Sequence, residues 1–135
     1  MIELDTNVIV RYLSKDDEQQ TEIATQLMMQ NDCVLLQTVL LETVWVLGSK
    51  HGHAWTREKI VEGLRNLLGL PTLAIQNLDK VSQALRWYEA GMGFADALHL
   101  ANSEHRFATF DKHLANKAKE LNAPQTIIFL GQSSH

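Results

Sequence analysis

The chain has 135 residues, 45% of them apolar and 21% charged, with two prolines and a single cysteine. That length supports a packed core, and that composition excludes disordered and disulfide-stapled classes. A net charge of −4 excludes holding nucleic acid by overall field, so any action on a polyanion needs local basic groups or metal ions.

MIEL (1–4) reads as a short strand ending at Asp5. NVIVRYLS follows as a helix that Thr6 or Asn7 can cap. DEQQTEIATQLMMQ (17–30) is an amphipathic helix with Ile23, Leu27 and Met28 inward and Asp16 or Asp17 as its cap. CVLL (33–36) is a short buried strand. TVLLETVWVLGSKHG is a helix closed by Gly52, and TREKIVEGLRNLLGL (56–70) is a helix started by Thr56 and ended near Gly69 and Pro71. TLAI (72–75) is a strand, DKVSQALRWYEAG (79–91) a helix capped by Asp79 and stopped by Gly91, and FADALHLANSEH (94–105) a helix. FATF (107–110), DKHLANKAKEL (111–121) and TIIFL (126–130) close the chain as strand, helix and strand.

Strands alternate with helices, and the strands are apolar without alternation. That pattern predicts one α/β domain over residues 1–135, with a short, mainly parallel sheet flanked by helices. Ligands of such sheets bind beyond the carboxyl ends of the strands. No repeat, linker or membrane-length apolar run interrupts the chain. MIELD carries acids where a secretory leader carries basic residues, and Cys33 has no partner for a disulfide. Both features set the expectation of a cytoplasmic protein in which Cys33 is a buried apolar residue.

Most of the sixteen acids have ordinary positions. Asp16, Asp17, Glu18, Glu22, Glu58, Glu62, Asp79 and Glu120 fall on polar faces or in first helical turns, where the helix dipole favours them. Four do not. Asp5 and Asp111 directly follow strands. Glu42, in TVLLETVWVL, and Asp96, in GFADALHL, lie on helices that look too apolar to face water freely. Singly, Asp5 and Asp111 also fit helix N-caps, and Asp96 a first-turn acid. If the four meet, their repulsion calls for a divalent cation. Oxygen-only ligands select a hard ion such as Mg²⁺ or Mn²⁺, which can ready a water and stabilise the leaving oxygen of a phosphodiester.

LDTNVIVRYL, LLETVWVL, GFADALHLA and ATFDKHLA, in this order, resemble the PIN-domain ribonucleases, and within them the VapC toxins of bacterial toxin–antitoxin pairs. The resemblance implies an α/β/α sandwich and metal-dependent endonucleolytic cleavage of RNA that leaves a 5′-phosphate and a 3′-hydroxyl. It implies that Asp5, Glu42, Asp96 and Asp111 are the catalytic, metal-binding carboxylates. It further implies an RNA substrate (tRNA or another structured RNA), a cognate VapB-type antitoxin and pairing into a homodimer. Thr6 matches the hydroxyl residue that often follows the first aspartate.

Other residues carry weaker signals. HGH (51–53) lacks an HExxH context, so zinc is not expected, and GSKHG lacks the spacing of a phosphate loop. His99 falls one turn after Asp96. Arg11, Lys15, Lys50 and Lys112 are candidate RNA contacts or ordinary surface charge. Trp45, Trp55, Trp87 and Tyr88 read as core or interface residues, and WYEAG as a dimer patch by analogy only. Two other classes compete with the nuclease. One is a PIN-fold module that binds RNA or protein without cutting. The other is a phosphotransfer domain, but the phosphatase pattern fails because Asp5 is followed by Thr6 and Asn7 rather than by a second aspartate two residues on.

Overall fold

A computed structural model describes residues 1–131. The chain divides into two compact units, Met1–Leu78 and Asp79–His135.

The N-terminal unit runs β1 (Ile2–Glu3), α1 (Thr6–Ser14), α2 (Glu18–Gln30), β2 (Cys33–Leu35), α3 (Gln37–Gly48), α4 (Arg57–Leu68) and β3 (Leu73–Ile75). Its strands form a parallel sheet in the order β1-β2-β3, with Ile2 opposite Cys33 and Cys33 opposite Leu73. Parallel neighbours need crossovers, and the helix pairs α1–α2 and α3–α4 supply them. Leu35, Ile9, Met28, Leu40, Leu47 and Leu67 are buried at the centre of its core. Cys33 is buried among them, and burial pushes its thiol pKa up, so it packs as a small apolar residue, as expected.

The C-terminal unit contains α5 (Leu78–Glu89), α6 (Phe94–Ala101), β4 (Phe107–Thr109), α7 (Lys112–Glu120) and β5 (Ile127–Phe129). β4 and β5 pair in parallel across α7, with Phe107 opposite Ile127. Val81, Leu85, Trp87, Met92 and Leu100 are buried, and Tyr88 meets Phe94 edge-to-face at 5.5 Å. The turn out of α5 needs glycine: Gly91 has φ +115°, which L side chains rarely adopt.

Parallel strands between helices are the α/β architecture that the periodicity predicts, and several details differ. α3 ends at Gly48, four residues before Gly52, because Ser49 turns extended while its N–H still closes on the Trp45 carbonyl. α6 ends at Ala101, not at residue 105. Asp79 sits inside the first turn of α5 rather than capping it. In α2, Ala24 and Met28 face inward one turn apart, which sends Ile23 outward to 62% exposure. Trp87 and Tyr88 are buried in the core, so WYEAG offers no dimer patch through its rings.

Candidate active site

In the N-terminal unit, Asp5 is the N-cap of α1. Its Oδ1 accepts from the Thr6 N–H at 2.8 Å, and its carbonyl accepts from Val8 N. Thr6 itself is buried, while the Asp5 side chain is exposed. α1 and α3 pack against each other, so Asp5 and Glu42 belong to one helix pair.

Glu42 corrects a sequence expectation. α3 buries Leu40, Thr43, Val44 and Leu47 and turns Thr38, Glu42 and Trp45 outward, an i, i+4, i+7 stripe. Counting apolar residues suggested a helix without a wet face. The helix has one, because polar Thr43 goes inward and donates to the Val39 carbonyl at 2.8 Å, while Trp45 goes outward at 71% exposure. Glu42 is therefore solvated, with no hydrogen bond or ion pair among the described residues.

In the C-terminal unit one of the four acids feels the charge of another. Asp96 is half-buried in the first turn of α6. Burial first, then the charge of Asp111, push its pKa above the usual carboxylate range, while His99 and His113 pull the other way. The carboxylate lies over the helix start: a Cβ on Gly93 would stand 3.3 Å from Asp96 Oδ2.

Asp111 is the N-cap of α7. Its Oδ1 accepts from Leu114 N at 3.1 Å, and its own N–H donates to Thr109 Oγ1 at 2.9 Å. The capping reading of Asp5 and Asp111 is thus true of both. It does not exclude ligation, because each cap uses one carboxylate oxygen and a carboxylate has about four acceptor sites. The caps fix where the second oxygen points.

Among the described residues of each unit, no three His, Cys, Asp or Glu side chains are grouped to hold a metal ion. The donor set still fits a hard divalent cation. Asp111 raises the pKa of Asp96 by its charge, a repulsion that a cation would relieve, and Mg²⁺ takes only one or two carboxylates beside water and phosphate oxygens.

Several side candidates resolve. Arg11 is not a free RNA contact: its guanidinium meets Asp16 Oδ1 at 3.1 Å and Gln20 Oε1 at 2.6 Å. His53 lies 2.9 Å from Asp16 Oδ2, so HGH is tied to a structural cluster. Lys59 stands 4.4 Å from the centre of the Trp55 ring. A groove of about 410 Å³ in the N-terminal unit, lined by Tyr12, Leu13, Met29 and Trp55 among others, contains none of the four acids. Phe110, next to Asp111, escaped the sequence reading; it is 76% exposed. The sequence reading placed it inside the strand FATF, which ends one residue earlier, at Thr109.

No helix among the described residues is long and apolar enough to cross a membrane. Comparison with curated proteins and with solved structures finds no match. The model of the PIN domain family matches residues 2–120, across both units and all four acids. The chain belongs to the PIN-domain family, with its α/β/α nuclease fold and its general dependence on divalent metal ions.

Proposed function

We propose that the chain, acting as one PIN domain over residues 1–135, is a Mg²⁺- or Mn²⁺-dependent endoribonuclease. We assign it to the VapC toxin type, cytoplasmic and restrained by a cognate antitoxin. The observation that carries the reading is Asp96, half-buried in the first turn of α6, where burial and the charge of Asp111 raise its pKa. A half-buried carboxylate beside a second one opposes folding unless something positive is due there.

Asp5, Glu42, Asp96 and Asp111 are the residues that would hold the ions. Bound ions of this kind ready a water for attack and stabilise the leaving oxygen of a phosphodiester. The protein supplies the rest. The α1 and α7 caps hold the Asp5 and Asp111 side chains in fixed orientations, so little rotamer freedom remains to be lost on binding. Half-burial of Asp96 strengthens its attraction for a cation relative to a carboxylate in open water. Exposed Lys112, beside Asp111, offers the phosphate backbone a local positive neighbour on a chain whose net charge is −4.

The purified chain should cleave a structured RNA such as tRNA with Mg²⁺ or Mn²⁺, leave 5′-phosphates, and stop with EDTA. Asp5→Asn and Asp96→Asn should each cut activity by more than the roughly 10- to 100-fold typical of outer-shell partners, with circular dichroism unchanged. Full activity in both variants, or cleavage untouched by EDTA, overturns the mechanism. RNA binding without cleavage supports the non-cutting module instead. Growth arrest on expression, relieved by the product of an adjacent open reading frame, tests the toxin assignment separately.

A further inference from the structure

α5 ends in a turn that closes on itself. Gly91 N donates to the Tyr88 carbonyl and Met92 N to the Trp87 carbonyl, both at 3.0 Å, with Gly91 at φ +115°. The Ala90 carbonyl, just past the helix end, receives no backbone N–H from this turn. It lies at the negative end of the helix dipole, where a cation is favoured.

Lys117 of α7 supplies that cation. Its Nζ donates to the Ala90 carbonyl at 3.1 Å. Its stem runs so close over Gly91 that a Cβ there would meet Lys117 Cε and Nζ at 3.2 Å. One turn earlier on α7, His113 Nε2 stands 3.5 Å from the Gly91 carbonyl. Lys117 also pairs with Glu120 at 3.4 Å, but the Glu120 side chain is 63% exposed, and such a pair holds little by itself.

This clamp joins the two helices whose starts carry acids. α7 packs mainly on β4 and β5, with Leu114 and Ala118 inward, while Lys117 and His113 reach from it to the α5–α6 connection. That connection is seated by fully buried Met92 and leads into α6, where Gly93 is the N-cap and Asp96 lies in the first turn. Asp111 caps the start of α7. A short helix moves as a rigid piece, so a hold on Lys117 is a hold on Asp111. The charges of Asp111 and His113 both act on Asp96, which agrees with two helix starts held close together.

We propose that Lys117 is a positioning residue for the metal site: by donating to the Ala90 carbonyl it fixes the start of α7, with Asp111, against the start of α6, with Asp96. The proposal rests on the reading of these acids as ligands of Mg²⁺ or Mn²⁺, and its test separates the two. Mn²⁺ binding to the full chain is measured by isothermal titration calorimetry without RNA, well below the melting temperature. Cleavage of RNA is then followed as a function of Mn²⁺.

Lys117→Met keeps the stem over Gly91 and loses the donor. It should raise the Mn²⁺ dissociation constant about tenfold, the low end of what outer-shell partners of a metal carry. The Mn²⁺ needed for half-maximal cleavage should rise in step, saturating Mn²⁺ should restore kcat, and KM for RNA should not move. Lys117→Arg, which keeps a cationic donor, should recover most of the loss, and Glu120→Gln should match wild type. The sign of the effect is diagnostic. Removing a positive charge near acids by itself tightens Mn²⁺ binding, whereas losing a clamp weakens it. Unchanged or tighter Mn²⁺ binding by Lys117→Met overturns the proposal, as does an arginine variant no better than the methionine one. A raised KM at unchanged Mn²⁺ affinity also overturns it, and makes Lys117 an RNA contact. A wild-type chain that binds no Mn²⁺ overturns it as well. Weakened Mn²⁺ binding in Lys117→Met, with no cleavage by wild type, upholds the proposal and sinks the nuclease reading alone.

Discussion

Asp16, between α1 and α2, and Asp96, in the first turn of α6, have surroundings that drive them in opposite directions. Asp16 receives the Ser14 hydroxyl at 2.8 Å, faces His53 Nε2 at 2.9 Å and lies 3.1 Å from Arg11 Nη1. The Ser14 and His53 hydrogen bonds, then Arg11, draw its pKa from 3.8 down to about 2. A carboxylate lowered on folding adds stability that is fully present above its unfolded pKa and is lost as pH falls through the folded one. Asp16→Asn should therefore be less stable than wild type near neutral pH, with the gap closing as pH drops from 3.8 to about 2. Urea denaturation across that range checks it. The gap should be small and shrink with added salt, since the Asp16 side chain is 43% exposed. A gap that persists below the folded pKa would assign the effect to packing. The His53 share of this was not legible beforehand, because His53 lies 37 positions away and spacing along a chain does not reveal such a contact. Asp96, by contrast, looked odd in sequence and is odd in structure: burial and Asp111 raise its pKa. The acid that the fold uses read as an ordinary cap candidate, and the acid that opposes folding stood out.

At the level of elements, helix starts were easier to read than helix faces. Asp17, Thr56 and Asp111 are the observed N-caps of α2, α4 and α7, each accepting a backbone N–H with its side chain. A cap is local chemistry, set by one side chain and the next few amides. The face of α3 is not local. Which of its apolar residues goes inward depends on what packs there, and the inward row took Thr43 and left Trp45 out. The same logic predicts how Asp111 will respond to mutation. Its cap needs only an oxygen acceptor, whereas metal ligation needs charge. Asp111→Asn should keep the bond to Leu114 N and hold stability within a few tenths of a kcal/mol, while Asp111→Ala loses about 0.5–2 kcal/mol. Both should lose most Mn²⁺-dependent cleavage. Thermal melts and cleavage rates on the two variants separate the roles, and undiminished cleavage by the asparagine variant would remove Asp111 from the ligand set.

For the molecule as a whole, charge and metal are one question. A chain of net charge −4 that keeps Asp96 half-buried and under the charge of Asp111 gives up stability at that residue in the absence of a cation. A cation that binds only the folded state returns it by mass action, about 2.7 kcal/mol when free metal is a hundredfold above its dissociation constant. Mn²⁺ should therefore raise the melting temperature of the wild-type chain. Asp96→Asn should behave in the reverse way. Without metal it should melt above wild type, because the repulsion is gone, and Mn²⁺ should add little. Differential scanning fluorimetry with and without Mn²⁺ reads all four values without any RNA or any activity. Equal Mn²⁺ shifts in the two proteins would mean that the ion is held elsewhere on an acidic surface. A metal-free Asp96→Asn chain melting below wild type would mean that the carboxylate is satisfied by the protein itself, and the four-acid reading would lose the residue on which it leans most.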